Sequence, residues 1–584
     1  MAMRAVQMAL ARPATDQRPA YTKRTRYEQM RTTLMTERSS FDAHWKECAD
    51  FIRPRRAKFQ ISDKNRGDRR NQNIIDSTAT FSSRTLSSGL HAGMSSPARP
   101  WFKSTIADPD LARYKPVQSY LAEVTTRMQA FYSMANLYQA LPVVYGDLGD
   151  FGTGAMAVLP DAKDLFRVKA YPIGSYAIGL DARGRVTTFL RDYSLSVMQL
   201  IEEFGIRDGF QDIDWSKFSS SVKNLWDRGQ YEEQIPVTWV VTPNVDYQVG
   251  SPRAQFMKWT SCYFERGQNG NTFLRESGYK TFPIMVPRWD VTDEDNYGTD
   301  WPASIALGDI KGLQTMHREK AKAIVKQVTP PMVGSWELKT QKTSVLPGEV
   351  TYTRDPQHGF RAAYQVNLDI GDLRADIGEV QQRIQRAYFE DLFLMLARTD
   401  AMENDPAKTA TEIAERKEEK MLALGPVLER SNDELFDPLY DRVFEMADEA
   451  GLLPDPPDEL QGVEIKPENT SILAQAQKLV GVNAADRLVT TVASMVQVWP
   501  EARHKVNAMR VVDDYGDMYG TDPDALRTDD EAQALADAEA KQAAAAQAAE
   551  SAPKVASAAQ MASQTPLATG GTVLDQLTGG GAPT

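Results

Sequence analysis

The chain has 584 residues, 42% of them hydrophobic and 25% charged, and a net charge of −12. That is long enough for more than one domain and too apolar for a wholly disordered polymer, while the acidic balance excludes a protein that grips nucleic acid over its whole surface. Cys48 and Cys262 are the only cysteines, which points to a reducing compartment; no apolar run suits a membrane span, and the one after Arg4 ends by Arg12, short of a secretion signal.

Residues 1–20 carry Pro13 and Pro19 without periodicity and read as a mobile arm. Residues 1–73 hold 17 Lys/Arg against 8 Asp/Glu, with a dense cluster at Arg53, Arg55, Arg56, Lys58, Lys64, Arg66, Arg69 and Arg70. This cluster either contacts DNA or an acidic partner protein, or it is a solvated loop balancing acidic neighbours in an oligomer. Tyr21 to Ile52 has helical spacing at Tyr27, Met30, Leu34, Phe41, Trp45, Cys48 and Ile52, and Pro54 closes it. Asp76-Ser77-Thr78 suits the start of a second helix carrying Phe81, Leu86 and Leu90 and ending by Gly93. A third helical stretch covers Leu111 to Tyr145.

From Ala155 the pattern turns to short β runs, at Ala155–Leu159, Val168–Tyr171 and Val186–Leu190, with a turn at Asp181–Gly184. Short helices are expected at Ser194–Phe204 and Trp215–Gly229. Further strands are expected at Val237–Val241, Phe256–Phe264, Thr272–Glu276 and Ile284–Trp289, with a hairpin turn at Arg266–Gly270. The result is a mixed α+β body, not a βαβ alternation.

Two long helices follow. The first opens at Asp300-Trp301-Pro302 and stops at Thr329-Pro330-Pro331. The second begins near Asp372, with Leu373, Ile377, Val380, Ile384, Tyr388, Leu392 and Met395 on one stripe. At roughly 1.5 Å per residue each spans on the order of 35–40 Å. Such a pair suits a stalk better than a pocket. Between them, Pro330–Gly371 reads as a compact α/β tip with strands at Met332-Val333 and Glu349–Thr353. A charged loop, Arg398–Lys408, precedes a third helix that starts at Thr409 with Glu412 in capping-box spacing and is bent by Pro426 and Pro438. Pro454–Pro457 is a linker, a helical domain covers about Ile472–Leu526, and the end is Ala/Gln-rich, then Gly/Pro-rich.

Chemistry is sparse. There is no phosphate-cradling G-x-x-x-x-G-K-[ST], no H-E-x-x-H, no Cys-x-x-Cys and no G-x-S-x-G, so neither a metal, a cofactor nor a catalytic group is expected. Asp290, Asp293, Glu294 and Asp295 imitate a calcium loop only until Ser304, which stands where a bidentate glutamate is needed; a solvated turn fits better. Phe151-Gly152-Thr153-Gly154 precedes strand-like sequence and reads as a tight turn. On the first long helix Lys311, Arg318, Lys322 and Lys326 share a face, which either meets a polyanion in a channel, pairs with a neighbouring subunit, or is solvated.

Several segments in order resemble the head-to-tail connector, or portal, proteins of short-tailed bacteriophages. They are Asn73–Thr78, Leu86-Ser87-Ser88-Gly89-Leu90 with Pro97 and Pro100-Trp101-Phe102, Asp150–Gly154, Tyr297-Gly298-Thr299, Thr329–Met332, and Thr409–Ile413 with Arg416. The resemblance implies an α+β, predominantly α-helical subunit of a ring of about twelve copies at one capsid vertex. It implies a wing at 21–300 plus part of 409–465, stem helices at 301–328 and 372–397, a clip at 329–371, a channel loop at 398–408 and a crown at 466–526; the tail, 527–584, is not covered. Genomic double-stranded DNA would pass through, with Arg398 and Lys408 facing it. Other implied partners are the terminase packaging motor, then tail adaptor and tail tube proteins, with major capsid and scaffolding proteins around it; no membrane is implied. The site of action would be the virion, and the host cytoplasm during assembly. A non-conducting tail or scaffold protein, and a metal-dependent nuclease, are the alternative classes.

Overall fold

The computed structural model describes residues 22–63, 67–112, 114–206, 212–267, 272–292, 295–340, 359–363, 370–397, 424–470, 491–495, 499, 511–512, 527 and 529–564. Its contacts form two units, residues 1–109 with 120–481, and residues 110–119 with 482–584.

In the first unit, helix α1 (Lys23–Phe51) starts where the Thr22 hydroxyl accepts the Thr25 N–H at 3.3 Å. Its buried residues Tyr27, Leu34, Trp45, Cys48 and Ile52 follow the expected stripe. Helix α2 (Thr78–Met94) starts at the expected triplet, with Asp76 supplying the side-chain bond. Asp76 Oδ1 accepts the Thr78 N–H at 2.8 Å, and Ser77 makes no cap bond. Leu86 and Leu90 are buried, but Phe81 is 58% exposed. Five residues from Leu86 is a rotation of about 140°, so Phe81 falls off the buried face that Ala79, Ser82 and Ser83 share with Leu86.

The helix expected over 111–145 is broken into α3 (Lys115–Met134) and α4 (Leu137–Phe151). Asn136, at the break, turns its amide to the outer edge of the strand Leu165–Ala170. It donates to Val168 O at 2.9 Å and accepts the Val168 N–H at 2.8 Å, satisfying backbone groups that lack a strand neighbour.

Two antiparallel sheets follow. The smaller has the order β3-β2-β9, from β2 (Met156–Asp161), β3 (Leu165–Ala170) and β9 (Ile284–Met285). The larger has the order β4-β5-β6-β7-β8, from β4 (Tyr176–Leu180), β5 (Val186–Ser196), β6 (Gln234–Pro243), β7 (Trp259–Glu265) and β8 (Arg275–Tyr279). β4 was not expected, and the turn at Asp181–Gly184 joins it to β5, with Asp181 Oδ1 accepting N–H groups of Arg183 and Arg185. β7 and β8 pair as the hairpin reading requires, although residues 268–271 lie outside the described ones. α5 (Val197–Phe204), with a Ser196/Gln199 capping box, and α6 (Ser220–Asp227) lie between β5 and β6. Tyr27 and Leu34 of α1 pack on Ala177, Leu190, Val240, Cys262 and Phe264 of the sheet, each large apolar side chain contributing about 1.5–3 kcal/mol.

Helix α7 (Pro302–Val328) begins with proline, as expected, but Asp300 does not cap it. Asp300 sits at φ 46°, and Trp301 holds the cap position without a side-chain bond. A two-stranded piece, β10 (Met332–Val333) with β11 (Arg361–Ala362), follows, and the expected strand at Glu349–Thr353 lies outside the described residues. The second long helix is interrupted. α8 (Ile370–Ala387) and α9 (Glu390–Ala397) are separated at Tyr388-Phe389, where Phe389 has φ 55°. The start of the third helix at Thr409 lies outside the described residues. Helical residues 424–431 pass through a π turn, Asn432–Phe436, into α10 (Asp437–Glu449). The π turn stands directly before Pro438, where a proline ring would otherwise meet the preceding carbonyl.

Strand β12 (Ile465–Asn469) pairs with β1 (Phe102–Ile106), so residues 466–469, assigned from the resemblance to the crown, pair within the first unit. The second unit is described mainly by α11 (Asp529–Gln564), an Ala/Gln-rich helix whose described side chains are almost all exposed. Among the described residues no helix is long and apolar enough to cross a membrane.

Asp437 and Asp441 lie one turn apart on α10, near Asp433, Glu464 and Lys466. Burial, then neighbouring carboxylates, push both up to about 6. Between the ordinary carboxylate range and pH 6 the folded chain therefore binds more protons than the unfolded one, so these groups cost stability above about pH 6 and the cost is relieved as pH falls. Asp437→Asn should raise the melting temperature at pH 7.5, and the gain should shrink toward pH 5, in thermal melts compared at the two pH values.

Candidate functional site

The long helices α7 and α8 pack on each other, and their inner ends meet a junction with α2 and α4. On α7 the buried stripe Ala303, Ala306, Leu307, Ile310 and Leu313 is interrupted by one polar residue, Gln314, only 2% exposed. Its Oε1 accepts the N–H groups of Ile75 and Asp76 at 2.7 and 2.8 Å, and its Nε2 donates to Asp76 O at 2.9 Å. The Asp76 carboxylate also receives Gln381 Nε2 of α8 at 3.0 Å and faces His317 Nε2 of α7 at 3.2 Å. One turn, residues 75–78, thus ties α2, α7 and α8 together through part-buried hydrogen bonds. Asp309 and Arg383 add a surface pair between the two long helices at 3.0 Å.

A second junction fixes the break in the second long helix. Asp150 of α4 is fully buried and receives Arg53, the Ser83 hydroxyl at 3.0 Å, and the Tyr388 hydroxyl at 3.4 Å. Arg56 pairs with the neighbouring Asp147 through Nε at 2.8 Å. Burial pushes the Asp147 carboxyl up, with Arg56 opposing the shift. Beyond the break, Glu390 accepts the Ser82 hydroxyl at 2.7 Å and Phe393 lies over Gly89, where an added Cβ would stand 2.2 Å from its ring. Only glycine permits α9 to approach α2 this closely. At the end of α4, Gly152 adopts φ 72° and ends the helix, as the tight-turn reading requires; Thr153 Oγ1 then accepts the Gly298 N–H at 2.9 Å.

The basic residues divide. Arg53 and Arg56 are turned inward to carboxylates of α4, Asp150 and Asp147. A cluster counted along the chain could not show partners some ninety residues away. Arg55 donates to Asp68 O at 2.9 Å, Arg70 pairs with Asp63 at 2.6 Å, and Arg69 is exposed. Lys58 lines a cavity between α1 and the larger sheet. In the stripe on α7, Lys311 reaches Glu47 of α1 at 2.7 Å and Lys322 pairs with Glu319 at 2.7 Å, while Arg318 and Lys326 are exposed. Arg398 and Lys408 lie outside the described residues.

The outer half of α7 is uncovered. Val325 is 60% and Val328 73% exposed, on the helical face that Leu313 and Gln314 bury further in, and Ile305, Gly308 and Gly312 are exposed on another face. Missed from the sequence were Gln314, Gln381, Asp147 and Asp150. A polar residue inside the apolar stripe of α7 was the available signal for Gln314. Among the described residues no group of three His, Cys, Asp or Glu could hold a metal ion.

The family model for bacteriophage head to tail connecting proteins matches residues 24–526. The portal protein of Salmonella phage epsilon15 is 43% identical over 531 residues, covering 91% of this chain and 93% of that relative. The probable portal protein of Bordetella phage BPP-1 is 41% identical over 495 residues, covering 84% of this chain and 87% of that relative. A solved structure described as the virion of a native gene transfer agent particle aligns at 11% identity and TM-score 0.33, over 74% of this chain and 92% of that one, too distant to define the fold.

Gln314→Leu keeps the size of the side chain but strands the Ile75 and Asp76 N–H groups. It should cost about 2 kcal/mol in urea denaturation. Lys326→Ala, on the exposed face, should change stability by less than about 0.5 kcal/mol.

Proposed function

This chain belongs to the bacteriophage head to tail connecting proteins, and from that premise we propose that it acts as a portal subunit, a structural component of the virion and not an enzyme. In this role it stands where the head joins the tail, and genomic DNA enters and leaves past it. Copies assemble as a closed ring of about twelve. The wing is drawn from 21–300 and part of 409–465, the stem from 301–328 and 372–397, the clip from 329–371 and the crown from 466–526. The observation that carries this reading is the pair α7 and α8, anchored at mid-helix by Asp76 and uncovered over the outer half of α7. Exposed Ile305, Val325 and Val328, with Gly308 and Gly312 open to close approach, supply the apolar and small-residue faces that neighbouring copies would cover.

The electrostatics suit a conduit. Each phosphate contact tightens binding, so a channel that must let DNA slide keeps its cations few. Lys311 and Lys322 are already matched by carboxylates, which leaves Arg318 and Lys326 of that stripe as candidates for the channel or for a subunit contact. Arg398 and Lys408, on the loop after the second stem helix, are assigned to the DNA. The terminase motor and then the tail adaptor and tail tube proteins engage the clip, while major capsid and scaffolding proteins surround the wing, where Arg55, Lys58, Arg69 and Arg70 remain candidates for a capsid or DNA contact.

Negative-stain images of the purified chain should show closed rings with a central hole; a monomer at every concentration would reject the conduit. The variant Arg398→Ala with Lys408→Ala should still form rings but change the DNA content of virions. Normal genome content would remove those two residues from the channel.

A further inference from the structure

The face of the larger sheet turned away from α1 carries a row of residues opposed across four strands: Arg191, Trp239, Tyr263 and Arg275, on β5, β6, β7 and β8. Arg191 lies over two phenol rings, 4.4 Å from the Tyr171 centroid and 4.5 Å from that of Tyr193. Its Nε is buried without an acceptor. Lys169 of β3 lies in electrostatic reach of it. Among the described residues no ion pair or hydrogen bond reaches the side chain of either cation. Glu203 of α5 also lies in reach of Lys169, but it is engaged by Arg275 at 3.0 Å. Lys169 is solvent-exposed, yet the surrounding protein desolvates its ammonium. That desolvation, then Arg191 and Arg167, pushes it below the ordinary lysine range. A group both accessible and desolvated sits in a recess, and this recess holds two unmatched cations.

The tyrosines decide what kind of anion fits. The hydroxyls of Tyr171, Tyr193 and Tyr263 lie in electrostatic reach of one another, and among the described residues none has a hydrogen-bond partner. Burial above all raises each beyond the ordinary phenol range, so all three stay O–H donors. Their rings are largely taken. Arg191 covers Tyr171 and Tyr193, Phe189 meets Tyr171 at 5.6 Å, and Trp239 stacks on Tyr263 at 5.4 Å. The recess therefore offers donors and charge, with little apolar surface for a base or an aliphatic side chain. Two cations match two negative charges, which a carboxylate or a phosphodiester does not carry. We propose that this recess binds a phosphate dianion, free or as a monoester, with Arg191 and Lys169 supplying the charge and the Tyr171, Tyr193 and Tyr263 hydroxyls the remaining hydrogen bonds. The proposal goes beyond the conduit and does not depend on it, since these residues belong to the sheets and not to α7 or α8.

The test is isothermal titration calorimetry of the full chain with inorganic phosphate, and separately with methyl phosphate, dimethyl phosphate and acetate, in a buffer free of other oxyanions. The expected result is saturable, salt-sensitive binding of inorganic phosphate, weakened roughly tenfold by Arg191→Gln or Lys169→Gln. Lys46→Gln, at an exposed position of α1, should leave it unchanged. Lys169 is exposed, so its variant keeps the test decisive if Arg191→Gln does not fold. Methyl phosphate binding as well as inorganic phosphate would extend the site to monoesters, and its failure would restrict the site to the free ion. No saturable phosphate binding, or equal binding by the native chain and the Lys169 variant, would overturn the site. Dimethyl phosphate or acetate binding as tightly as inorganic phosphate would overturn the dianion assignment.

Discussion

The whole architecture depends on polar groups being matched where the long helices meet one turn of the chain, around Gln314 and Gln381. Gln314 is buried and Asp76 half-buried; Gln314 bonds both backbone groups of Asp76, whose carboxylate receives Gln381 of α8 and the Thr78 N–H of its own turn. An unmatched group there would cost a large share of a typical domain's net stability. Apolar packing alone would let α7 slide on α8, because a leucine–isoleucine stripe is satisfied in several registers. Directional bonds to one turn select a single register. The Asp150 junction does the same for α9, since Arg53, Ser83 and Tyr388 come from three separate parts of the chain.

The motifs that carry the family resemblance are mostly these joints. Asn73–Thr78 contains the turn that holds both long helices. Leu86–Leu90 contains Gly89, over which Phe393 packs. Asp150–Gly154 joins the buried carboxylate to the left-handed turn at Gly152. Trp101 is buried against Tyr132 and Phe436, with ring centroids 5.7 and 4.9 Å away. Short sequence signatures thus mark places where geometry leaves one residue type little freedom.

What could be read from the sequence follows the range of the interaction. The ends of α7, set by Pro302 and by Thr329-Pro330, and the stripe Ile377, Val380, Ile384, Tyr388 and Leu392 are local, and they appear in the structure. The break at Phe389 was hidden because the apolar period continues through it. Its cause is tertiary, in the pull of Asp150 on Tyr388 and of Ser82 on Glu390. β4 was missed because Tyr176–Leu180 is short and contains Gly179, yet it forms the sheet edge beneath α1. Charge was the least legible property. Arg53 and Lys311 looked like surface cations until their carboxylate partners, on α4 and α1, were placed.

That redistribution of charge bears on how a conduit can be both rigid and slippery. Arginine held by buried aspartate stiffens the joint of α4 with α2 and the second long helix without presenting charge to a passing polyanion. Lysine paired on the helix surface contributes little binding strength, because an exposed pair is weak and readily screened. The same chain can therefore contain many basic residues and still hold DNA loosely. The uncovered half of α7 has the complementary character. Its exposed Val325 and Val328 would be a liability in a monomer, but become useful when copies cover one another. Rigidity comes from polar matching inside each subunit, and in the proposed ring closure would come from apolar contact between subunits. The two can be altered separately because Gln314 sits midway along the helix, whereas Val325 and Val328 stand exposed toward its outer end.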